Sequence, residues 1–237
     1  MTELFPLKIN AAETSRRGKV LVGPIDLLLQ GSGATVVMGP NGSGKTTFLR
    51  VLHGTARLTG GTINWACGTA EARPHLAFVF QRPVMLRRSV VDNIAYPLRI
   101  KGVPKTLARE QASVWARDIG LGDMLDRPAP TLSGGEQQKL ALARAMITEP
   151  KVLFLDEPSA ALDGRATREI EDILKAAKQA KTKLILSTHD FGQARRLADD
   201  VVFLLHGKVH EQGEADAFFA APQTAQAGAF LTGDIVE

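Results

Sequence analysis

One nine-residue stretch has the composition and spacing needed to bind the phosphates of a nucleotide. It follows an apolar run, 34–38, that predicts a buried strand, and it leads into a segment, 46–53, with one apolar helix face. Its glycines let successive backbone N–H groups turn towards a polyphosphate, and the helix directs its positive end at the same anion. Its lysine is placed to reach the β- and γ-phosphates, and the first threonine to hold Mg²⁺. The nine residues are Gly39, Pro40, Asn41, Gly42, Ser43, Gly44, Lys45, Thr46 and Thr47.

An ordinary glycine-rich turn before a helix is the alternative for this stretch. It would not require lysine and threonine in register with the glycines and with the start of the helix. The full pattern therefore predicts a nucleoside triphosphate site.

A second stretch places two carboxylates directly after a short apolar strand, 152–155. Ligands bind at the carboxyl edge of the sheet in α/β folds, so Asp156 and Glu157 are expected near the phosphate loop. Asp156 is suited to order the Mg²⁺ shell, and Glu157 to polarise an attacking water as a general base. Two adjacent acids can also form a helix cap or a solvated turn, but the phosphate loop upstream favours the catalytic interpretation.

The composition is that of a folded protein with one large α/β domain, or one domain with an inserted subdomain. The chain has 237 residues, of which 44% are hydrophobic and 23% charged. We expect no membrane span and no secretory signal, because no apolar run approaches about twenty residues and the N-terminus lacks a basic segment. The single cysteine excludes an intramolecular disulfide. The chain has only one tyrosine and two tryptophans, which argues against an aromatic stacking platform for single-stranded nucleic acid. The net charge of +4 does not distinguish between nucleic acid, a membrane surface and ordinary solvated faces.

Hydrophobic periodicity predicts an alternation of strands and helices, interrupted by a helical insertion of about fifty residues. Prolines divide this insertion, 82–131, into short helices over 90–98 and 107–119. Further helices are predicted over 136–147, 166–180 and 190–197. The tail, 221–237, is small and polar and is expected to carry little chemistry. Strands are predicted over 4–11, 19–22, 25–29, 34–38, 62–66, 76–80, 152–155, 184–187, 201–205 and 208–212.

A third motif lies between the insertion and the acidic strand. Leu132-Ser133-Gly134-Gly135-Glu136 places a serine and two glycines before a helix, which makes an anion-binding N-terminus. With the phosphate loop upstream and the acidic strand downstream, it resembles the signature LSGGQ of the ATP-binding cassette (ABC) family, with glutamate in place of the final glutamine. The implied fold class is α/β: a P-loop core with a parallel sheet, an N-terminal antiparallel β subdomain and an inserted α-helical subdomain. The resemblance implies a single nucleotide-binding domain over residues 1–237.

The resemblance extends over about residues 4–219 and assigns further residues. Gln81 matches the glutamine that contacts Mg²⁺ or the attacking water and senses the helical subdomain. The segment ending in Asp163 resembles the family's D-loop, with Ala160 where serine is usual. His189 matches the switch histidine that contacts the γ-phosphate. A kinase using the same phosphate loop would leave the signature and this histidine unexplained. The implied cofactors are ATP and Mg²⁺.

In this family the signature residues complete the site of a second copy, so the resemblance implies a head-to-tail dimer around two ATP molecules. Ser133, Gly134 and Gly135 would therefore bind the partner's nucleotide. The family usually stacks adenine on an aromatic residue before the first core strands. Here residues 11–22 contain none, and Arg17 is the candidate, since a guanidinium plane can also stack on a base.

The resemblance is greatest to prokaryotic importer ATPases. It implies separate membrane permease subunits that dock near 83–90, an extracytoplasmic solute-binding protein as indirect partner, and a cytoplasmic position on the inner face of the membrane. The stretch 81–86 is similar to that of tungstate or related oxyanion uptake ATPases, while phosphate and amino-acid uptake remain open. A soluble ABC-type ATPase of DNA repair or translation is the alternative. It usually carries coiled coils, zinc modules or two cassettes, none of which this sequence predicts, so no nucleic acid partner is expected.

Overall fold

The chain forms two sheets and nine α-helices in a computed structural model that describes residues 3–234 and 236. The smaller sheet is antiparallel, with the strand order β2-β1-β4. Its strands are β1 Leu7–Arg16, β2 Lys19–Leu29 and β4 Gly60–Asn64. The predicted fold class, with an N-terminal antiparallel β subdomain, is confirmed.

The prediction of two separate strands over 19–22 and 25–29 is wrong, because β2 continues through Gly23 and Pro24. Pro24 has no N–H to donate, but β2 lies at the edge of its sheet, where a missing donor breaks no ladder. The neighbouring Gly23 N–H donates instead to the Gly207 carbonyl, at 2.7 Å, which ties the small sheet to the large one.

The larger sheet has six strands in the order β5-β6-β7-β3-β8-β9, parallel except for the terminal β8–β9 hairpin. The strand that leads into the phosphate loop is therefore central, with neighbours on both sides. The bounds are β3 Ala34–Met38, β5 Leu76–Val79, β6 Val152–Asp156, β7 Lys183–Ser187, β8 Asp200–Leu205 and β9 Lys208–Glu214.

The helices cover both faces of this sheet and form the insertion. Their bounds are α1 Lys45–His53, α2 Thr69–Ala72, α3 Val90–Ile100, α4 Lys105–Asp118, α5 Gly134–Met146, α6 Gly164–Gln179, α7 Phe191–Leu197, α8 Ala215–Ala220 and α9 Ala225–Thr232. Helix α5 begins two residues before the predicted start, because Ser133 already caps it. Helix α9 lies in the segment that the sequence predicted to be a small polar tail.

Side chains that alternate along the central strands divide the core into two layers. On β6, Leu153 and Leu155 face the layer with α5 and α6, whereas Val152 and Phe154 face the layer with α1 and the small sheet. All five residues of β6 are buried, as expected for a parallel strand covered on both faces. A third apolar cluster joins α3 and α4 to α5 and forms the helical subdomain.

Candidate nucleotide site

The phosphate loop depends on glycines where the backbone is crowded. Gly39 has a φ of 145°, and a Cβ there would lie 2.1 Å from the Leu204 carbonyl oxygen. Gly44 has a φ of 101°, and a Cβ would lie 2.8 Å from the Val22 side chain. A side chain at either position would therefore force the loop away from strands β8 and β2.

The lysine of the loop is buried beneath it. Lys45 is 6% exposed, and its Nζ donates to the carbonyl oxygens of Gly39, at 2.8 Å, and Pro40, at 3.1 Å. An ammonium has three N–H donors, so one remains for a phosphate oxygen. Burial lowers the pKa of Lys45, while the negative charges of Glu157 and Asp156 act in the opposite direction. An incoming polyphosphate would favour the charged form in the same way as these carboxylates.

The predicted magnesium residues, Thr46 and Asp156, meet at the edge of the sheet. Asp156 is 2% exposed, and its Oδ1 accepts hydrogen bonds from Thr46 Oγ1, at 2.9 Å, and from Ser187 Oγ, at 2.8 Å. Hydroxyl and carboxylate oxygens are the ligands that Mg²⁺ prefers. In the described part of the chain, no group of three or more histidine, cysteine or acidic side chains is arranged to hold a metal ion by itself. The donor set therefore fits a cation that takes its remaining ligands from nucleotide phosphates and water.

The predicted catalytic side chains converge on one carboxylate oxygen. Glu157 Oε2 accepts from Gln81 Nε2 at 3.0 Å and lies 3.2 Å from His189 Nδ1. The Glu157 backbone has a positive φ of 45°, and its N–H is held by the carbonyl and the hydroxyl of Ser187, both at 3.1 Å. The strained backbone of this residue is thus fixed by the neighbouring strand β7.

Sequence reasoning missed the role of Ser187. Its hydroxyl links Asp156 to the Glu157 backbone, and its own backbone pairs with Asp156 in the parallel ladder of β6 and β7. The available signal was a hydroxyl at the carboxyl end of a predicted strand, two residues before the switch histidine. Nothing in the sequence indicated that β6 and β7 are adjacent.

These groups surround a cavity of about 490 Å³ at the start of α1. Ser43 Oγ is buried beside it without a hydrogen-bond partner among the described residues. The open backbone cradle, the lysine and this unpartnered hydroxyl together suit a polyphosphate chain. The lining comprises Asn41, Gly42, Gly44, Lys45, Thr46, Thr47, Gln81, Glu157, Ala160 and His189.

The signature residues do not line this cavity. Ser133 caps α5 in a capping box, in which its N–H and Oγ donate to Glu136 Oε2 at 2.7 and 2.8 Å. Ser133 and Gly134 are exposed, and Gly135 packs on α6, where a Cβ would lie 3.1 Å from Ala166. Asp163 caps α6, accepting from the N–H groups of residues 165 and 166 at 3.0 and 2.8 Å.

Arg17 also lies outside the cavity lining. It occupies the turn between β1 and β2 with a φ of 53°. Its stacking on a base stays a prediction.

A phosphate loop on the central strand, a buried carboxylate beside the loop threonine and a second carboxylate held over the cavity define a nucleoside triphosphatase of the P-loop class. Comparison with known proteins makes the assignment specific. Residues 22–160 match the family model described as ABC transporter. The chain is 35% identical over 215 residues to the tungstate uptake system ATP-binding protein TupC of Peptoclostridium acidaminophilum, which covers 90% of this chain and 99% of that protein.

Two further comparisons agree. The chain is 35% identical to the phosphate import ATP-binding protein PstB 2 of Natronomonas pharaonis, over 92% of this chain and 84% of that protein. The solved structure of cbiO1 from Clostridium perfringens, described as part of the ABC transporter complex cbiONQ, superposes with a TM-score of 0.81 at 26% identity and covers 92% of both chains.

The chain therefore belongs to the ABC transporter family and is one of its importer-type ATPases. It is an ATPase coupled to transport, with ATP and Mg²⁺ as cofactors. None of the helices among residues 3–234 and 236 has both the length and the apolar character required to span a bilayer.

Proposed function

We propose that this chain, acting as one nucleotide-binding domain over residues 1–237, energises uptake of an oxyanion by hydrolysing ATP in a head-to-tail dimer. The observation that carries the hydrolytic assignment is the convergence of Gln81 and His189 on one oxygen of Glu157, above the phosphate loop. A carboxylate held between two such partners is oriented to receive a proton from water.

The residues divide the reaction between them. Lys45 and the loop amides bind the phosphates, while Thr46, Asp156 and Gln81 would hold Mg²⁺, which neutralises phosphate charge when bound. Glu157 takes a proton from the attacking water. The oxygen of this water forms a bond to the γ-phosphorus while the bond between the γ-phosphorus and the β–γ bridging oxygen breaks. ADP and inorganic phosphate are the products. His189 would contact the γ-phosphate and keep Glu157 aligned.

The position of the signature supports a dimer. Ser133 and Gly134 are exposed at the start of α5 and absent from the lining of their own chain's cavity. The exposed N-terminus of α5 suits the γ-phosphate held by a second copy, to which Ser133 would donate in place of Glu136, with Asp163 at the start of the neighbouring α6. In such a dimer ATP joins the two copies, and hydrolysis releases them.

A groove between the core and the helical subdomain supports a membrane permease as partner. It has a volume of about 410 Å³, and the segment that follows Gln81 contributes to its lining. Phe80 and Val84 line it and are 40% and 71% exposed, while Arg144 adds a positive charge. An apolar helix of a permease on the cytoplasmic face would cover these side chains. An extracytoplasmic solute-binding protein would deliver the cargo to that permease.

The proposed cargo class rests on the relatives. TupC is named for tungstate uptake and PstB 2 for phosphate import, and both substrates are tetrahedral oxyanions. Importers of amino acids are also among the relatives, such as the arginine transport ATP-binding protein ArtM of Bacillus subtilis. The cargo therefore has to be identified from the permease. Co-purification of the tagged Glu157→Gln chain with ATP from gently solubilised membranes should recover that permease. Recovery with ribosomes or nucleic acid instead would contradict the importer assignment.

The hydrolytic roles are tested by steady-state phosphate release. Glu157→Gln should lower the rate of Mg²⁺-dependent ATP hydrolysis by at least about 100-fold, because a positioned general base contributes about 10²–10⁴-fold. ATP affinity should remain, since the phosphate loop is intact. Glu110→Gln, which neutralises an exposed carboxylate on α4, is the matched control. A Glu157→Gln protein that hydrolyses ATP at the wild-type rate would contradict the role of Glu157.

A further inference from the structure

The C-terminal segment is docked by a buried carboxylate. Glu211, on β9, is 8% exposed and accepts three hydrogen bonds at the start of α9. The donors are the Gln223 N–H, at 2.8 Å, and the N–H and Oγ1 of Thr224, at 2.9 and 2.7 Å. Thr224 in turn caps α9 by accepting from the Ala227 N–H. These bonds fix the start of the helix in position.

Helix α9 presents one aromatic ring to two elements of the nucleotide site. The Phe230 ring lies 5.1 Å from the Phe191 ring in an edge-to-face arrangement and 5.2 Å from the Phe203 ring. Phe191 begins helix α7, two residues after His189. Phe203 lies on β8 opposite Met38, the last residue of the strand that enters the phosphate loop. Phe230 is therefore packed between the switch helix and the strand beside the phosphate loop.

The same segment faces the phosphate loop across a small cavity. This space of about 310 Å³ has Pro40, Asn41 and His189 on its catalytic side and Phe230 and Gly233 on its C-terminal side. The His189 side chain is 58% exposed, and its Nδ1 lies 3.2 Å from Glu157 Oε2. Phe191 directly follows the segment from which His189 projects, so its packing on Phe230 adds to the hydrogen bonds that hold this segment, such as that from the Thr188 N–H to the Val37 carbonyl.

We propose that Phe230 is a positioning residue for His189, and that the docked C-terminal helix holds the switch segment in register with the phosphate loop. This inference rests on the proposed role of His189 in ATP hydrolysis. Loss of the ring leaves a gap behind Phe191 and lets the switch segment withdraw from Glu157. Misplacement of a catalytic group by about 1 Å costs up to about 100-fold in rate.

The test compares variants of the full-length chain in ATP hydrolysis. Phe230→Ala should lower kcat about 10-fold with the KM for ATP changed less than about twofold, because the phosphate loop does not depend on the ring. Phe230→Tyr keeps the ring and should restore kcat. Phe219→Ala is the matched control, because Phe219 contacts Phe218 and touches the switch helix at Arg195, six residues after His189, whereas Phe230 packs on Phe191 beside His189. Equal losses in Phe219→Ala and Phe230→Ala, or an unchanged kcat in Phe230→Ala, would overturn the inference.

A second readout does not depend on activity. The NMR spectrum of protein labelled at the histidine rings contains one signal for each ring, and the signal that is lost in His189→Gln identifies His189. Phe230→Ala should shift that signal and leave His53, which is packed against Phe78 and Phe154, unchanged. An unmoved His189 signal would overturn the inference even if kcat fell. The wild-type chain in the hydrolysis assay separates the two proposals. Absence of Mg²⁺-dependent hydrolysis in the wild type refutes the proposed function. Normal hydrolysis in both the wild type and Phe230→Ala refutes only this inference.

Discussion

Removal of the Arg196 side chain should destabilise the protein through the carboxylate that it leaves behind. Glu171 lies on α6 with its side chain 2% exposed, and Arg196 on α7 donates to it through Nε, at 2.8 Å, and Nη2, at 2.6 Å. This bidentate pair joins α6 to the helix that follows His189. In Arg196→Ala, Glu171 keeps its position on α6 but loses its counter-ion.

The size of the effect follows from the unequal burial of the two partners. Breaking a fully buried pair by removing one member costs about 3–5 kcal/mol. The Arg196 side chain is 48% exposed, so water can enter where the guanidinium was and solvate part of the Glu171 charge. We therefore expect a loss of about 2–3 kcal/mol in the free energy of unfolding at pH 7.

Urea unfolding of the monomeric protein without nucleotide measures this loss. Arg195→Ala is the matched control, because Arg195 is the neighbouring residue, is exposed and lies over the Phe219 ring at 5.2 Å. Its loss should be within about 1 kcal/mol, the scale of an exposed cation–π contact. The double variant Glu171→Leu with Arg196→Met should recover most of the stability, because it leaves no buried charge. A loss of unfolding free energy in Arg196→Ala no larger than that in Arg195→Ala would contradict the role of the buried Glu171 charge.

Two further predictions concern Lys183 and Glu136. Burial lowers the pKa of Lys183 to about 8, against 10.5 for an ordinary lysine, so between these pH values the unfolded chain binds more protons than the folded one. Relative to Lys183→Met, the free energy of unfolding of the wild type should rise by up to about 3 kcal/mol from pH 8 to pH 10.5, and a flat difference would contradict the assignment. Glu136 accepts from the two Ser133 donors that a γ-phosphate would need, and the backbone hydrogen bond lowers its pKa. Glu136→Gln removes this charge and should tighten ATP-dependent dimerisation about fivefold in a Glu157→Gln background, measured by analytical gel filtration, whereas an unchanged midpoint would count against it.

Local sequence patterns were sufficient wherever one strand and the loop after it formed a unit. The apolar run 34–38 is β3 as predicted, since a central parallel strand is buried on both faces. The meeting of Thr46 with Asp156 also follows from the sequence, because the loop that leads to Thr46 leaves the carboxyl end of one parallel strand and Asp156 lies at the carboxyl end of another. The assignment of Gln81 and His189 to the nucleotide site came from the family resemblance, which did not predict that both side chains meet Glu157 Oε2.

The remaining features depend on contacts that the sequence does not encode locally. To predict that β2 continues through Pro24, one must know that this strand lies at the edge of its sheet. The hydrogen bond between Ser187 and Asp156 requires the strand order, which no pattern within either strand reveals. Helix α9 has a weak apolar pattern and is held by Glu211 from another element, so its composition alone suggested an inert tail. The roles of Arg17 and of the signature residues remain predictions.

The proposed dimer requires that each ATP site combine the phosphate loop of one copy with the signature of another. Lys45→Ala and Ser133→Arg should each abolish hydrolysis alone, the first through the phosphate loop and the second through the signature. Mixing the two purified variants creates dimers in which the intact loop of the Ser133→Arg chain meets the intact signature of the Lys45→Ala chain. We predict that ATP hydrolysis in the mixture rises well above the sum of the two separate rates. A mixture no more active than that sum would contradict a composite site.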